Sequence, residues 1–132
     1  PEIHRVLKPG GKAAFVEPLP DNPAINVYRR LATRVRTQDE VPFDPANLAR
    51  VRELFRKVEH REFWLTALAI FMWMYAVERV HPNDDRYWKR VVRRDHVYGP
   101  WFRRLNAIDE HLLALFPFLG RFCWNMVILA EK

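Results

Sequence analysis

Short hydrophobic runs are separated by segments in which hydrophobic residues recur every three to four positions, a pattern that predicts strands interleaved with helices. Residues 12–17 (KAAFVE) lie between a Pro-Gly-Gly turn and Pro18, which predicts a short strand covered on both faces. Residues 122–130 (FCWNMVILA) are almost continuously apolar and predict a central strand. Residues 58–64 (VEHREFW) are charged, which is typical of a short strand at the edge of a sheet.

Helices are predicted between these strands. Their expected start signals are Asp21 or Asn22 before Pro23, Asp44 before Pro45, Asp84 or Asp85, and Gly99-Pro100. Residues 2–8 predict the end of a further helix, stopped by the Pro-Gly-Gly turn. The resulting order indicates an α/β fold with three strands, too few for a complete doubly wound sheet.

The segment 63–94 combines two unusual features. Residues 63–77 (FWLTALAIFMWMYAV) carry no charge but are shorter than the roughly 18–20 residues of a membrane span, so they predict a buried or interfacial helix. The helix after them is predicted to have one basic face, formed by Arg86, Lys89, Arg90, Arg93 and Arg94. Association of 63–94 with a membrane surface explains this pattern. An apolar helix packed on the sheet beside a solvated arginine face explains it equally, and both interpretations stay open.

Composition narrows the function classes. Hydrophobic residues make up 49% of the 132 positions, too many for a disordered chain. The net charge of +6 favours acidic partners, but no nucleic-acid-binding motif is present, so no specific nucleic acid is expected. Cys123 is the single cysteine and excludes an internal disulfide. We therefore expect a cytoplasmic location, peripheral at the membrane if 63–94 faces lipid.

One motif at the start of the chain carries a family resemblance. Residues 3–12 (IHRVLKPGGK), followed by AAFVE, resemble the post-core motif of class I S-adenosylmethionine-dependent methyltransferases, in particular small-molecule members of the type 11 group. In this motif Pro stops a helix and Gly supplies the left-handed turn into a strand. Residues 105–132 are similar to the family's C-terminal ending, and 36–43 are similar to a loop of some small-molecule members.

The resemblance implies the C-terminal half of a Rossmann-like methyltransferase fold. Its three-stranded mixed sheet would hold 122–130 in the centre, antiparallel to both 12–17 and 58–64. Residues 1–64 would then belong to the core, 65–121 to a helical insertion or cap, and 122–132 to the final strand. Because the chain begins inside a patterned segment, we expect an upstream half in the complete protein.

The resemblance also implies S-adenosylmethionine as cofactor and a small, hydrophobic methyl acceptor. The glycine-rich loop that holds this cofactor in the family has no counterpart here, since the four glycines form no Gly-x-Gly motif. No cofactor-binding residue is therefore expected in this chain. We expect the chain alone neither to bind S-adenosylmethionine nor to catalyse, and we expect no metal site.

Five residues are candidates for the acceptor site. Glu17 ends its strand where open α/β sheets collect ligands, so it is a candidate general base; a solvated strand-end carboxylate would look the same. The other four lie in a loop that either covers the substrate or simply joins two helices: Arg36, Thr37, Asp39 and Glu40. The alternative function is a non-catalytic, basic amphipathic module that binds a membrane surface or an acidic partner.

Overall fold

Three strands form one sheet in the computed structural model, which describes residues 2–34 and 41–132. The strands are β1 (Lys12–Pro18), β2 (Lys57–Phe63) and β3 (Asn125–Glu131). Within the described residues the helices are α1 (Glu2–Val6), α2 (Pro23–Leu31), α3 (Leu48–Leu54), α4 (Ala69–Ala76), α5 (Tyr87–Arg93) and α6 (Asp95–Leu115). Short 3₁₀ turns occupy Pro45–Asn47, Thr66–Leu68 and Pro117–Phe122. The chain is thus a mixed α/β structure.

The sheet has the order β1-β3-β2, with β3 antiparallel to both neighbours. This confirms that the last strand is central and that the charged strand lies at an edge. Both predicted antiparallel pairings are thus confirmed, but the description of the sheet as mixed is wrong, because β1 and β2 run in the same direction without pairing and the described sheet contains no parallel pair. Pro18 and Phe63 both lie opposite Asn125. The carboxyl ends of β1 and β2 therefore meet the start of β3 at one end of the sheet.

The last strand begins three residues later than predicted. The apolar run at 122–130 suggested a strand from its first residue, but Phe122 still belongs to a 3₁₀ turn. The amide of Cys123 donates to the carbonyl oxygen of Gly120 at 3.0 Å, which closes that turn before the chain extends. Hydrophobicity alone does not distinguish these two backbone conformations.

Only one face of β1 is packed, which corrects the expectation of a strand covered on both sides. Phe15 packs against the core cluster that contains Met126 and Ile128. On the opposite face Val16 is 63% exposed and Leu129 is 50% exposed. Within the described residues β1 pairs with β3 alone, so its other edge has no strand partner there.

Two hydrophobic clusters hold the chain together. The first lies against the sheet and consists of Leu19, Leu48, Cys123, Met126 and Ile128. The second lies among the helices and consists of Ile25, Leu68, Ile70, Phe71, Met74, Tyr87, Val91 and Tyr98. Segment 63–77 is therefore a turn followed by a helix that is half packed: Ile70, Phe71 and Met74 are buried, whereas Met72 and Trp73 are exposed. Among the described residues, no helix is both long enough and apolar enough to cross a bilayer.

The sequence places Arg90 on a solvated basic face, but in the structure Arg90 is largely buried. Its side chain is only 17% exposed and lies 3.0 Å from the Glu78 carboxylate, which also accepts from the Tyr98 hydroxyl at 2.7 Å. Burial alone would raise the pKa of Glu78, but the hydrogen bonds from Tyr98 and Arg90 outweigh it and hold that pKa below its usual value. Arg90 thus fastens α5 to the segment that follows α4.

Two helix starts also differ from the sequence prediction. Helix α5 begins at Tyr87 without a side-chain cap, and Asp85, one of the two expected caps, instead pairs with Arg93. Helix α6 begins at Asp95 and runs through Gly99 and Pro100, which were expected to separate two helices. A proline at the sixth helical position removes a single backbone hydrogen bond, and the apolar stripe of α6 continues past it.

Candidate functional site

The ends of the three strands are tied side by side by backbone hydrogen bonds. The amide of Leu19 donates to the carbonyl oxygen of Trp124 at 2.7 Å, and the amide of Trp124 donates to that of Trp64 at 3.0 Å. Trp64 has a φ of 67°, a conformation that is uncommon for a bulky side chain. This geometry turns the chain sharply at the end of β2, and the surrounding packing must hold it.

Aromatic rings cover this end of the sheet. The ring of Trp124 lies 5.3 Å from that of Trp64 and 5.1 Å from that of Phe71, between centroids. Tyr28 and Tyr87 extend the cluster, with centroids 5.3 Å apart. The rings meet edge-on or tilted, the arrangement that their quadrupoles favour. The cluster forms a rigid platform beneath the helices.

An apolar pocket of about 240 Å³ lies between α2 and α4, next to this platform. Helix α2 contributes Ile25, Tyr28 and Leu31, and α4 contributes Phe71, Tyr75 and Ala76, together with residues of neighbouring segments. Among the described lining residues only the tyrosines carry side-chain oxygen or nitrogen atoms, and the surface that faces the pocket is almost wholly apolar. Such a pocket suits a small apolar or aromatic molecule.

Tyr87 is positioned as a neutral donor at the base of this pocket. Its hydroxyl donates to the carbonyl oxygen of Val80, and the residue is 1% exposed. Burial raises the pKa of Tyr87 well above its usual value, and the nearby Tyr28 adds to that shift. Tyr87 therefore fixes the lining and does not act as a base.

Buried polar side chains anchor both walls of the pocket. The side-chain oxygen of Asn22 accepts from the amide of Ile25 at 3.0 Å and caps α2, while its amide group donates to the carbonyl of Phe122. Asp109 of α6, only 3% exposed, accepts from the amides of Leu65 and Thr66 at 2.9 and 2.7 Å and from the Thr66 hydroxyl. A carboxylate that receives several N–H groups at a helical start satisfies donors that have no partner within the helix.

The predicted site residues are brought together only in part. Glu17 is half-buried, lies opposite Met126 at the carboxyl end of β1, and is not part of the lining of the apolar pocket. Arg36, Thr37, Asp39 and Glu40 lie outside the described residues. The end of their loop is described: the amide of Phe43 donates to the carbonyl oxygen of Pro18 at 2.8 Å. The loop therefore returns to the strand end that carries Glu17.

Sequence reasoning missed Asp109 and the aromatic platform. Asp109 stands four positions after Leu105 on the buried stripe of α6, and an acidic residue on an apolar stripe is the signal that could have revealed a buried cap. The platform has no comparable signal. Trp64, Phe71 and Trp124 are far apart along the chain, and only the sheet order brings them together.

The glycine amides at the turn into β1 are already occupied. Gly10 has a φ of 71°, and its N–H donates to the carbonyl oxygen of Lys132 at 3.0 Å. The N–H of Gly11 donates to the carbonyl oxygen of Lys8 at 2.8 Å. These groups hold the turn and do not fit a cofactor cradle, which requires free N–H groups facing the ligand. Among residues 2–34 and 41–132, no group of three or more histidine, cysteine or acidic side chains is placed to hold a metal ion.

Cys123 is a packing residue, and its chemistry is correspondingly predictable. It is fully buried, and burial, with the charges of Asp109 and Glu62, raises the pKa of its thiol to about 12.

We expect the thiol of Cys123 in the folded chain to react with iodoacetamide at pH 8 more than about 100-fold more slowly than in the urea-unfolded chain. Mass spectrometry of the alkylated protein measures both rates. Equal rates would show that the thiol is accessible and would reopen a nucleophilic role.

Together these observations define the class of structure: an α/β chain with an antiparallel three-stranded sheet and an aromatic-lined apolar pocket beside the strand ends. Comparison with protein-family models gives no match, and neither the curated proteins nor the solved structures give a significant match. The function is therefore inferred from the motif, the topology and the pocket.

Proposed function

We propose that this chain is the C-terminal, substrate-side part of an S-adenosylmethionine-dependent methyltransferase with a Rossmann-like fold, acting on a small, hydrophobic acceptor. The observation that carries the proposal is the sheet order β1-β3-β2 with the last strand central and antiparallel. A helix followed by the Lys-Pro-Gly-Gly turn leads directly into β1, as the resemblance implies.

The pocket supports an acceptor with an apolar body. It lies between the helix that follows β1 and the helix that follows β2, on the side of the sheet where open α/β folds bind ligands. Its volume of about 240 Å³ suits a small ring system or a short aliphatic chain. The hydroxyl of Tyr87 is already committed to Val80 and the described lining holds no charged side chain, so a charged acceptor would have to keep its charge outside.

The proposed roles of this chain's residues follow from their positions. Platform and pocket would hold the acceptor in one orientation, the main requirement for in-line methyl transfer. Glu17 would take a proton from the acceptor at the strand end, and Arg36, Thr37, Asp39 and Glu40 would lie over the bound acceptor. S-adenosylmethionine would be held by the upstream part of the complete protein and supply the methyl group.

A second candidate function is a non-catalytic, basic amphipathic module that binds a membrane surface or an acidic partner from the cytoplasmic side. The observation that favours it is the set of exposed tryptophan and basic residues on α5 and α6. The coding sequence upstream of Pro1 separates the two. A predicted strand followed by a glycine-rich turn supports the methyltransferase, whereas a start codon at this point contradicts it.

Narrowing the pocket tests whether it is a binding site. Ala76 lines the pocket from an exposed position on α4, so Ala76→Phe fills space without disturbing the core. We expect the wild-type chain to enhance the fluorescence of the neutral probe N-phenyl-1-naphthylamine, and Ala76→Phe to weaken its binding at least about tenfold.

The matched control is Ala69→Phe, which adds the same ring to an exposed position of the same helix outside the pocket lining. It should leave probe binding unchanged. Equal binding to wild type and to both variants would show that the probe adheres elsewhere and that this pocket receives no ligand.

A further inference from the structure

The positive charge of the chain is concentrated in one segment. Residues 86–108 contain seven lysine and arginine residues against one acidic residue, Asp95. The rest of the chain has fifteen residues of each sign, so this segment accounts for the whole net charge of +6. It consists of α5 and most of α6, which follow each other with only Arg94 between them. Acidic residues flank the segment on both sides, Asp84 and Asp85 before it and Asp109 and Glu110 after it, so the positive charge is local to these two helices.

Exposed aromatic and aliphatic side chains share this segment. We call the following set the basic aromatic surface: Trp88, Lys89, Val92 and Arg93 on α5, and Val97, Trp101, Arg104 and Ile108 on α6. Trp101 is 60% exposed and Val92 is 70% exposed. The α6 members recur at the spacing of a single helix face, beside the buried stripe that contains Tyr98 and Asp109.

Cations lie directly on the exposed indoles. The ammonium of Lys89 lies 5.4 Å from the ring centroid of Trp88, and the guanidinium of Arg104 lies 5.4 Å from that of Trp101. Such pairs are worth little in water and more when they are desolvated. The indole ring and the long basic side chain are also the two groups that favour the headgroup region of a bilayer.

We propose that the basic aromatic surface docks the chain on an anionic lipid bilayer. Lys89 and Arg104 complement the negative headgroups, whereas Arg93 is already paired with Asp85. Trp88 and Trp101 lie at the headgroup level, and the aliphatic members reach the acyl boundary. A single-stranded nucleic acid would also use the cations and stack on the indoles. It would gain nothing from burying the exposed aliphatic side chains Val92, Val97 and Ile108, and for this reason lipid is the favoured partner.

This surface lies at α5 and α6 rather than at the uncharged run 63–77. In α4 the side chains of Ile70, Phe71 and Met74 are buried, and Met72 and Tyr75 line the apolar pocket. Trp73 is 56% exposed, but no basic side chain of the described residues lies over its ring. Trp73 therefore serves as an internal control, and bilayer docking does not depend on methyl transfer.

Co-sedimentation of the 132-residue chain with lipid vesicles tests the docking. We expect binding to vesicles of 70% phosphatidylcholine and 30% phosphatidylserine, weaker binding at high salt, and little binding to pure phosphatidylcholine. Trp101→Ser should weaken binding about tenfold. Lys89→Gln combined with Arg104→Gln should weaken it by about fivefold for each charge removed.

Two controls match these variants in chemistry but lie elsewhere. Trp73→Ser removes an exposed tryptophan from α4, and Arg50→Gln with Arg52→Gln removes two exposed arginines from α3. Both should leave vesicle binding unchanged. Equal weakening by test and control variants, or equal recovery with neutral and anionic vesicles, would overturn the docking. Binding to a 20-mer of thymidylate without binding to vesicles would assign the surface to nucleic acid instead.

Discussion

Asp109→Ala is expected to destabilise the chain by about 3–5 kcal/mol, the largest loss that we anticipate from a single substitution. The residue is only 3% exposed, and its carboxylate accepts from the amides of Leu65 and Thr66 and from the Thr66 hydroxyl. Alanine would leave these partly buried donors without this partner. Since small domains are stable by only about 5–15 kcal/mol, much of the folding free energy would be lost. Urea denaturation followed by circular dichroism measures the change.

The adjacent Glu110 provides the matched control. It is exposed, and its ion pair with Arg61 lies on the surface, so Glu110→Ala should cost less than about 1 kcal/mol. Asp109→Asn keeps the shape but replaces one acceptor with a donor, and it should fall between the two. If Asp109→Ala fails to fold, the free energies of unfolding of Asp109→Asn and Glu110→Ala still show whether the buried carboxylate stabilises the chain. Equal stability of the Asp109 and Glu110 variants would show that the buried cap contributes nothing.

Glu17→Gln in the complete protein is expected to slow methyl transfer by about 10²–10⁴-fold, the usual contribution of a general base. The substitution preserves the size of a half-buried side chain at the end of β1 and removes only its ability to accept a proton. Residues 41–43, which follow the four candidate loop residues, return to this strand end: the amide of Phe43 donates to the carbonyl oxygen of Pro18. The hydroxyl or amine of the acceptor would lie between the Glu17 carboxylate and this loop.

Rate measurements against pH distinguish a base from a bystander. The Glu17→Gln variant should be slower than the wild type across the pH range, because a glutamine amide cannot accept the proton at any pH. Glu53→Gln, an exposed carboxylate on α3, is the control and should keep the wild-type rate and profile. A Glu17→Gln enzyme with full turnover at every pH would mean that methyl transfer relies on positioning alone.

The sequence predicts the position of each strand in the sheet well, because the hydrophobicity and charge of a segment reflect how deeply its strand is buried. The apolar last strand is central and the charged 58–64 segment is an edge, as continuous apolarity and surface charge require. Asn22 caps α2 as expected, and Asp44 caps the 3₁₀ turn that leads into α3, because capping involves neighbours in sequence. These features depend on residues that are close together in the sequence, so they can be predicted without knowing the tertiary contacts.

What the sequence does not predict depends on distant residues. The periodicity of α5 places Arg90 on a basic face, but Glu78 and Tyr98 draw it into the structure. Val16 has the pattern of a covered strand, yet no described helix lies over it. The apolar pocket needs α2 and α4 to meet at the aromatic platform, which only the tertiary fold arranges.

The central claim is that this chain supplies the acceptor half of a methyltransferase, and calorimetric titration with S-adenosylmethionine tests it most directly. The protein translated from the complete reading frame should bind the cofactor with micromolar affinity, and the 132-residue chain should show no binding, because its glycine amides are already used within the turn. Absence of binding by the complete protein, or micromolar binding by the 132-residue chain, would contradict the account.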